Sequence, residues 1–326
     1  MSDDFIISVV IPAHNCGRFV AEAIDSVLAQ TRPPEEIIVV DDGSTDDTRE
    51  RVAPYVDRVR YIHQRNGGVA SARNAGIRAA RGSHIAFLDG DDRWLPHKLE
   101  KQLQALAANP GAQWVHADML FWDDETGALT PSPPYGRERF VGSCYREFFW
   151  WCGVNTSTVV VSRRCLDEVG IFDEHIPGRW GEDLELWLRI VRKFPLIYVP
   201  EPLIHYRRHG TNATGNAPVS GIYESAYHVF DRELSGDPEL RKSLGRAQVR
   251  DHMRSLAFTT AYAYAERGNL RSARRYFTAA LRYAPGSPYS WVLWGSTFIP
   301  LPARRLLRTI KQRLTRGQRP VRANPA

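Results

Sequence analysis

Within the first hundred residues, apolar β-branched runs alternate with amphipathic segments, and few architectures accept that order. Ile6–Ile11 (IISVVI) is continuously apolar, as suits a strand buried on both faces. Phe19–Leu28 sets Phe19, Val20, Ala23, Ile24, Val27 and Leu28 on one helical face. Glu36–Val40 is a second strand, and turn chemistry begins at Asp41-Asp42-Gly43-Ser44. Ser44 or Thr45 is suited to N-cap a helix running towards Val56, with Asp46 and Asp47 complementing its dipole. Arg58–His63 reads as a short strand, Val69–Ala80 as a helix and Ser83–Leu88 as a buried strand ending at Asp89, and Leu99, Leu103 and Leu106 stripe the next helix. This order predicts an α/β fold on a mostly parallel, doubly wound sheet, in which ligands bind beyond the carboxyl ends of the strands. Two of those ends carry acids, Asp41-Asp42 and Asp89-Gly90-Asp91-Asp92.

From Trp114 onward the pattern is irregular, with the proline-rich run at 131–134 marking a loop. Thr158–Val161 reads as a strand, and Asp183–Val191 as an amphipathic helix with Leu184, Trp187, Leu188 and Val191 on one side. After Gly210 the character turns helical. Ala261–Ala284 has the form of one tetratricopeptide-like hairpin turning at Gly268-Asn269, but one copy has no neighbour to stack on, so a small helical domain is expected. The expected divisions are 1–210, a helical domain at 211–290 and a basic amphipathic tail at 291–326.

The formal net charge is +6, yet residues 301–326 carry eight Arg/Lys and no acid, which leaves residues 1–300 at −2. A nucleic-acid binder carries its positive charge on the folded body, so no nucleic-acid partner is expected. The four cysteines form no C-x-x-C pair and no Cys/His metal spacing, which points to a reducing compartment. No secretory signal is visible and no apolar run is long enough to span a bilayer.

The dinucleotide fingerprint and the Walker phosphate loop are both absent. Carboxylate stands at the ligand-binding end of the sheet instead, and carboxylates repel phosphates unless a divalent cation lies between. Asp89 and Asp91, flanking a glycine, suit a hard cation that bridges to a diphosphate.

Five motifs in order carry a resemblance: Ser8–Asn15 (SVVIPAHN), Ile37–Ser44 (IIVVDDGS), Asn66–Gly76 (NGGVASARNAG), Phe87–Trp94 (FLDGDDRW), and Trp180–Arg189 (WGEDLELWLR) with His205–His209 (HYRRH) beyond it. The chain resembles the family 2 glycosyltransferases over about its first 210 residues. The resemblance implies a GT-A (Rossmann-like) fold, with a C-terminal α-helical extension outside it. It also implies a nucleotide-diphospho-sugar donor, Mn²⁺ or Mg²⁺ as cofactor, and transfer with inversion. Carried over by motif, Pro12, Asp42, Asn66, Arg73, Asp89 and Arg207 would bind the nucleotide-sugar, with Asp41 a stand-in for Asp42. Asp42 would accept the N3–H of uracil or thymine, so UDP- or dTDP-sugars are expected above GDP-sugars. Asp91, Asp89 and His209 would face the metal. Asp183 matches the catalytic base, and Glu182 would orient the acceptor beside Trp180. A saccharide or lipid-linked acceptor in surface-polysaccharide synthesis is implied. Two other readings compete: a nucleotidyltransferase making the nucleotide-sugar, disfavoured because Pro12-Ala13-His14-Asn15 replaces a Gly-rich loop, and a non-catalytic scaffold with a helical docking domain. Trp291–Pro302 followed by a basic stripe at Ala303–Thr315 suggests an interfacial helix on an anionic membrane, hence a cytoplasmic enzyme held peripherally on the inner face.

Overall fold

The computed structural model describes residues 5–132, 141–150, 153–212 and 218–299. Two compact units divide the chain, 1–217 and 218–326. The first is built on one nine-stranded sheet in the order β3-β2-β1-β4-β8-β6-β9-β5, with β7 paired to β6. Its strands are β1 (Ile7–Ala13), β2 (Glu36–Asp41), β3 (Arg60–His63), β4 (His84–Phe87), β5 (Arg93–Trp94), β6 (Trp114–Asp123), β7 (Leu129–Pro131), β8 (Val160–Ser162) and β9 (Leu196–Arg208).

Every residue of β1 is buried, as suits a central strand that is apolar but for Ser8, whose Oγ donates to Glu36 at 2.7 Å. Ile7, Val9 and Ile11 face a cluster completed by α1 (Val20–Leu28) and α4 (Lys98–Ala107). Val10 faces α3 (Val69–Ala79) on the other side, and Gly76 lets that helix lie directly on the strand. A Cβ at Gly76 would come within 2.3 Å of Val10 Cγ1.

The sheet is mixed, not mostly parallel. β1, β2, β3 and β4 are parallel, as their helical crossovers dictate, but β8 runs antiparallel to both β4 and β6, and β5 antiparallel to β9. The segment after Trp114 is a ten-residue strand paired in parallel with the thirteen-residue β9. Pro200 and Pro202 obscure β9 in the sequence. They fall where its register against Ala117 and Asp118 shifts, a bulge that tolerates residues lacking an N–H.

Another local departure is the helix after β2. It is the short α2 (Thr48–Val52) led by Asp47, because Ser44 Oγ and the Thr45 N–H are already bonded to Asn15. α5 (Tyr145–Trp150), α6 (Arg163–Val169) and α7 (Glu182–Val191) complete this unit.

The C-terminal unit is helical: α8 (Val219–Gly236), α9 (Pro238–Ser243), α10 (Arg246–Glu266), α11 (Leu270–Tyr283) and α12 (Pro288–Ser296). The hairpin between α10 and α11 turns at Gly268, φ 78°, with the Asn269 side chain capping α11. Its first helix begins fifteen residues before Ala261, longer than the repeat-like segment suggested. The proposed interfacial helix at 303–315 lies outside the described residues, as do Cys152 and part of the loop at 131–134. Among the described residues no helix is long and apolar enough to cross a membrane.

Candidate active site

The carboxyl ends of β1, β2 and β4 place the acid clusters side by side. Asp41 closes β2 and is buried, with Ser44 N–H (2.8 Å) and Tyr61 O–H (2.5 Å) donating to it and His63 Nδ1 at 3.4 Å. Burial pushes its pKa up, but the hydrogen bonds from Ser44 and Tyr61 outweigh this and hold it below the usual carboxylate range. Asp41 is thus committed to its neighbours. Asp42 receives Gln64 Nε2 (2.8 Å) and the Gly67 N–H (2.9 Å) on one oxygen and the Gly68 N–H (2.7 Å) on the other. Three donors leave lone-pair capacity for one more. Asn66 contacts His14, whose Nδ1 lies 3.0 Å from the Asp42 carbonyl, so the two form a polar rim beside Asp42. Pro12 is buried within β1.

Arg73 joins the second cluster to a third. Its guanidinium is almost wholly buried, and Nη2 donates to Asp89 Oδ1 and Nη1 to Glu182 Oε1, both at 2.7 Å. Sixteen residues separate Arg73 from Asp89 and 109 separate it from Glu182. Burial would disfavour the guanidinium charge, but Asp89 and Glu182 more than offset it and raise its pKa. Glu182 and Asp183 open α7 after Gly181, whose φ of 73° suits glycine at a sharp entry. Asp183, half-buried, follows Glu182 in the first turn of α7. Burial, then the charge of Glu182, pushes its pKa up to about 6, with Arg73 pulling the other way.

The loop after β4 divides its acids. Asp91 turns to His209, with Oδ2 and Nε2 3.2 Å apart. Asp92 turns inward, where Ser157 O–H (2.6 Å) and the Arg207 N–H (3.0 Å) donate to it. Its burial, reinforced by the charges of Asp91 and Asp89, raises its pKa well above normal. Arg207 is also buried. It donates to the Asp91 carbonyl (2.9 Å), Asp124 (2.7 Å) and Glu22 (2.8 Å), and lies over the Trp122 ring at 3.8 Å. It therefore braces the Asp91 loop from behind. Asp92, Ser157 and His14 were not assigned from sequence. Adjacent aspartates give no cue to which one faces inward, and Ser157 is 65 residues from its partner.

Residues 8–159 match the model of glycosyl transferase family 2. An uncharacterized glycosyltransferase of Rickettsia prowazekii is 31% identical over 236 residues, covering 71% of this chain and 73% of its own. The chain belongs to glycosyltransferase family 2. As an inverting glycosyltransferase of that family, it transfers a sugar from a nucleotide-diphospho-sugar to an acceptor, which displaces the nucleotidyltransferase and scaffold readings. The Escherichia coli UDP-Glc:α-D-GlcNAc-diphosphoundecaprenol β-1,3-glucosyltransferase WfgD is 31% identical over 195 residues, 58% of this chain and 71% of its own. Fold likeness to solved structures extends further along the chain. Staphylococcus aureus TarS 1–349 in complex with UDP-GlcNAc aligns with a TM-score of 0.63 at 16% identity, over 97% of this chain and 93% of its own. The Pyrobaculum calidifontis mannosyltransferase PcManGT, solved with GDP-Man and Mn²⁺, aligns at 0.58 and 18% identity, over 93% and 83%.

Family membership implies a divalent metal. Among the described residues no group of three His, Cys, Asp or Glu side chains is close enough to hold one by itself. A carboxylate and an imidazole facing each other at 3.2 Å nevertheless fit a Mg²⁺ or Mn²⁺ whose other ligands are diphosphate oxygens and water.

Proposed function

We propose that this glycosyltransferase uses a UDP- or dTDP-sugar and glycosylates a saccharide or lipid-linked hydroxyl in surface-polysaccharide synthesis. The Arg73 bridge is the supporting observation: one buried guanidinium gathers Asp89 from the donor-side loop and Glu182 from the acid pair. A donor lying over Asp89 and an acceptor meeting Asp183 would then share one end of the sheet.

In this reading Asp183 takes the acceptor's hydroxyl proton as the oxygen attacks the anomeric carbon on the face opposite the diphosphate. Glu182, tied to Arg73, orients the acceptor hydroxyl, and Trp180 offers a ring to an acceptor sugar. Asp91 and His209 would hold the cation, with Asp89 beside them. When bound, that cation supplies positive charge against the departing diphosphate. Arg207 acts here by fixing the Asp91 loop, since three of its N–H groups are already engaged. Asp42 keeps one acceptor position for the N3–H of a pyrimidine, with Asn66 and His14 at the base's edge and Pro12 beneath. The domain reading is a catalytic region at 1–210, a helical region at 211–290 and a tail from 291. The enzyme would work in the cytoplasm, peripherally on the inner membrane face, in keeping with the diphospholipid acceptor named for WfgD.

Equilibrium binding of UDP-, dTDP- and GDP-sugars, with and without Mn²⁺, tests the donor assignment. Pyrimidine nucleotides should bind at least tenfold tighter than GDP and need the cation. Equal affinity for GDP would overturn the role of Asp42 while leaving the transferase activity intact.

A further inference from the structure

A cavity of about 980 Å³ opens in the C-terminal unit between the end of α8, α9, the start of α10 and the end of α11. Arg241, Lys242, Arg246, Arg250 and Arg282 line it, and no Asp or Glu does. Lys242 pairs with Glu239 and Arg250 with Asp251, both between exposed side chains where an ion pair contributes little. Among the described residues, the side chains of Arg241, Arg246 and Arg282 enter no ion pair and no hydrogen bond. The nearby acids are engaged elsewhere: Asp237 caps α9 by accepting the Leu240 N–H, and Asp231 accepts the Tyr283 hydroxyl. Three guanidiniums collected around one hollow whose lining holds no acid repel one another, and a bound anion relieves that repulsion.

A second feature points the same way. Arg246 and Ala247, the first residues of the 21-residue helix α10, are both on the cavity wall. The N-cap is Gly245, and no side chain caps the free N–H groups of the first turn. The positive end of the helix dipole therefore adds to the guanidinium charge. Leu234 and Val249, both buried, give the hollow an apolar base.

We propose that this cavity binds a phosphate-bearing anion, with the phosphate held by Arg241, Arg246 and Arg282 at the N-terminus of α10. Guanidinium forks match the paired oxygens of a phosphate, and helix N–H groups accept the same geometry. The phosphate would belong either to a phospholipid headgroup or to a soluble phosphoester. The inference is independent of the donor and base assignments above.

The test uses the full chain and a triple variant, Arg241→Gln, Arg246→Gln and Arg282→Gln, all three at exposed positions. A charge-matched control replaces Arg254, Arg271 and Arg275 by Gln. Pyrophosphate is titrated calorimetrically in EDTA, so that cation-dependent binding at the donor site does not contribute. Flotation with phosphatidylcholine vesicles holding about one third phosphatidylglycerol forms the other arm. The cavity variant should lose at least tenfold in pyrophosphate affinity or in floated fraction while the control keeps wild-type binding. Loss in the vesicle arm alone assigns a lipid headgroup, and loss in the pyrophosphate arm a soluble phosphoester. The proposal is overturned if wild type binds neither probe, or if cavity and control variants weaken equally.

Discussion

In the base role proposed for it, Asp183 links catalysis to stability through a single carboxyl. A base must be unprotonated to work, so the pKa of about 6 predicts that turnover rises with pH through about 6 and levels above 7. Asp183→Asn should remove that limb and lower turnover by roughly 10²–10⁴-fold with donor affinity retained. Donor affinity lost in parallel would move Asp183 out of the chemistry. The same shift has a stability consequence of definite sign. Because the folded pKa lies above the unfolded one, the native state holds the proton more tightly, and the advantage present below about pH 4 is lost as pH rises through 6. Asp183→Asn should therefore be more stable than wild type at pH 8, by on the order of 1–3 kcal/mol, and equal to it near pH 4. Thermal melts at both pH values check this, and a variant less stable at pH 8 would contradict the raised pKa of the carboxyl. Asp91→Asn, at a loop position facing His209, should lose most activity across a Mn²⁺ titration with its melting temperature unchanged. Normal turnover would remove Asp91 from the metal site.

Elements were legible where one local signal sufficed. β1, α1, β2, α3 and α7 each announce themselves by periodicity, and so do the acids at the ends of β2 and β4. β6 and β9 do not, because their pairing is long-range and the β9 prolines read as a loop until the bulge against Asp118 is seen. The site divides in the same way. Asp89, Asp91 and Asp183 could be named from motifs, but the inward turn of Asp92, the commitment of Asp41 to Tyr61 and the bracing by Arg207 depend on partners 20 to 185 residues away. A close approach of two elements provides a sharp test of the parallel half. Gly76→Ala adds helix propensity to α3, worth up to about 1 kcal/mol, yet drives a methyl against Val10. Overpacking should win, destabilising by about 1–3 kcal/mol, and Val10→Ala in the same chain should recover part of the loss. Denaturant melts of the single and double variants measure this. A Gly76→Ala protein as stable as wild type would mean that α3 does not rest on β1 as described.

At the scale of the whole molecule, charge is sorted by region. Residues 1–217 hold 24 Arg/Lys against 30 Asp/Glu, residues 218–300 hold eleven against seven, and residues 301–326 hold eight against none. The near-neutrality of residues 1–300 conceals an acidic catalytic unit followed by an increasingly basic C-terminal stretch. An acidic unit gains nothing from an anionic surface, whereas each Arg or Lys near one contributes about 1 kcal/mol, an attraction that salt screens. Leu306, Leu307, Ile310 and Leu314 recur at helical spacing among Arg304, Arg305, Arg308, Lys311 and Arg313, the pattern of an interfacial segment. The structure also determines where such a segment can be removed. A cut at Ser290 would split α12 and remove Trp294 and Thr297, which bond to Thr278 and Arg274 of α11. A chain ending at Ile299 keeps those bonds. It should retain the wild-type melting temperature and Mn²⁺-dependent donor hydrolysis, yet float with phosphatidylglycerol vesicles several-fold less than the full chain at 50 mM salt. The difference should disappear at 500 mM salt, where screening shortens the reach of surface charge to a few ångströms. If the two chains float alike at low salt, residues 300–326 are not what holds the enzyme to a membrane.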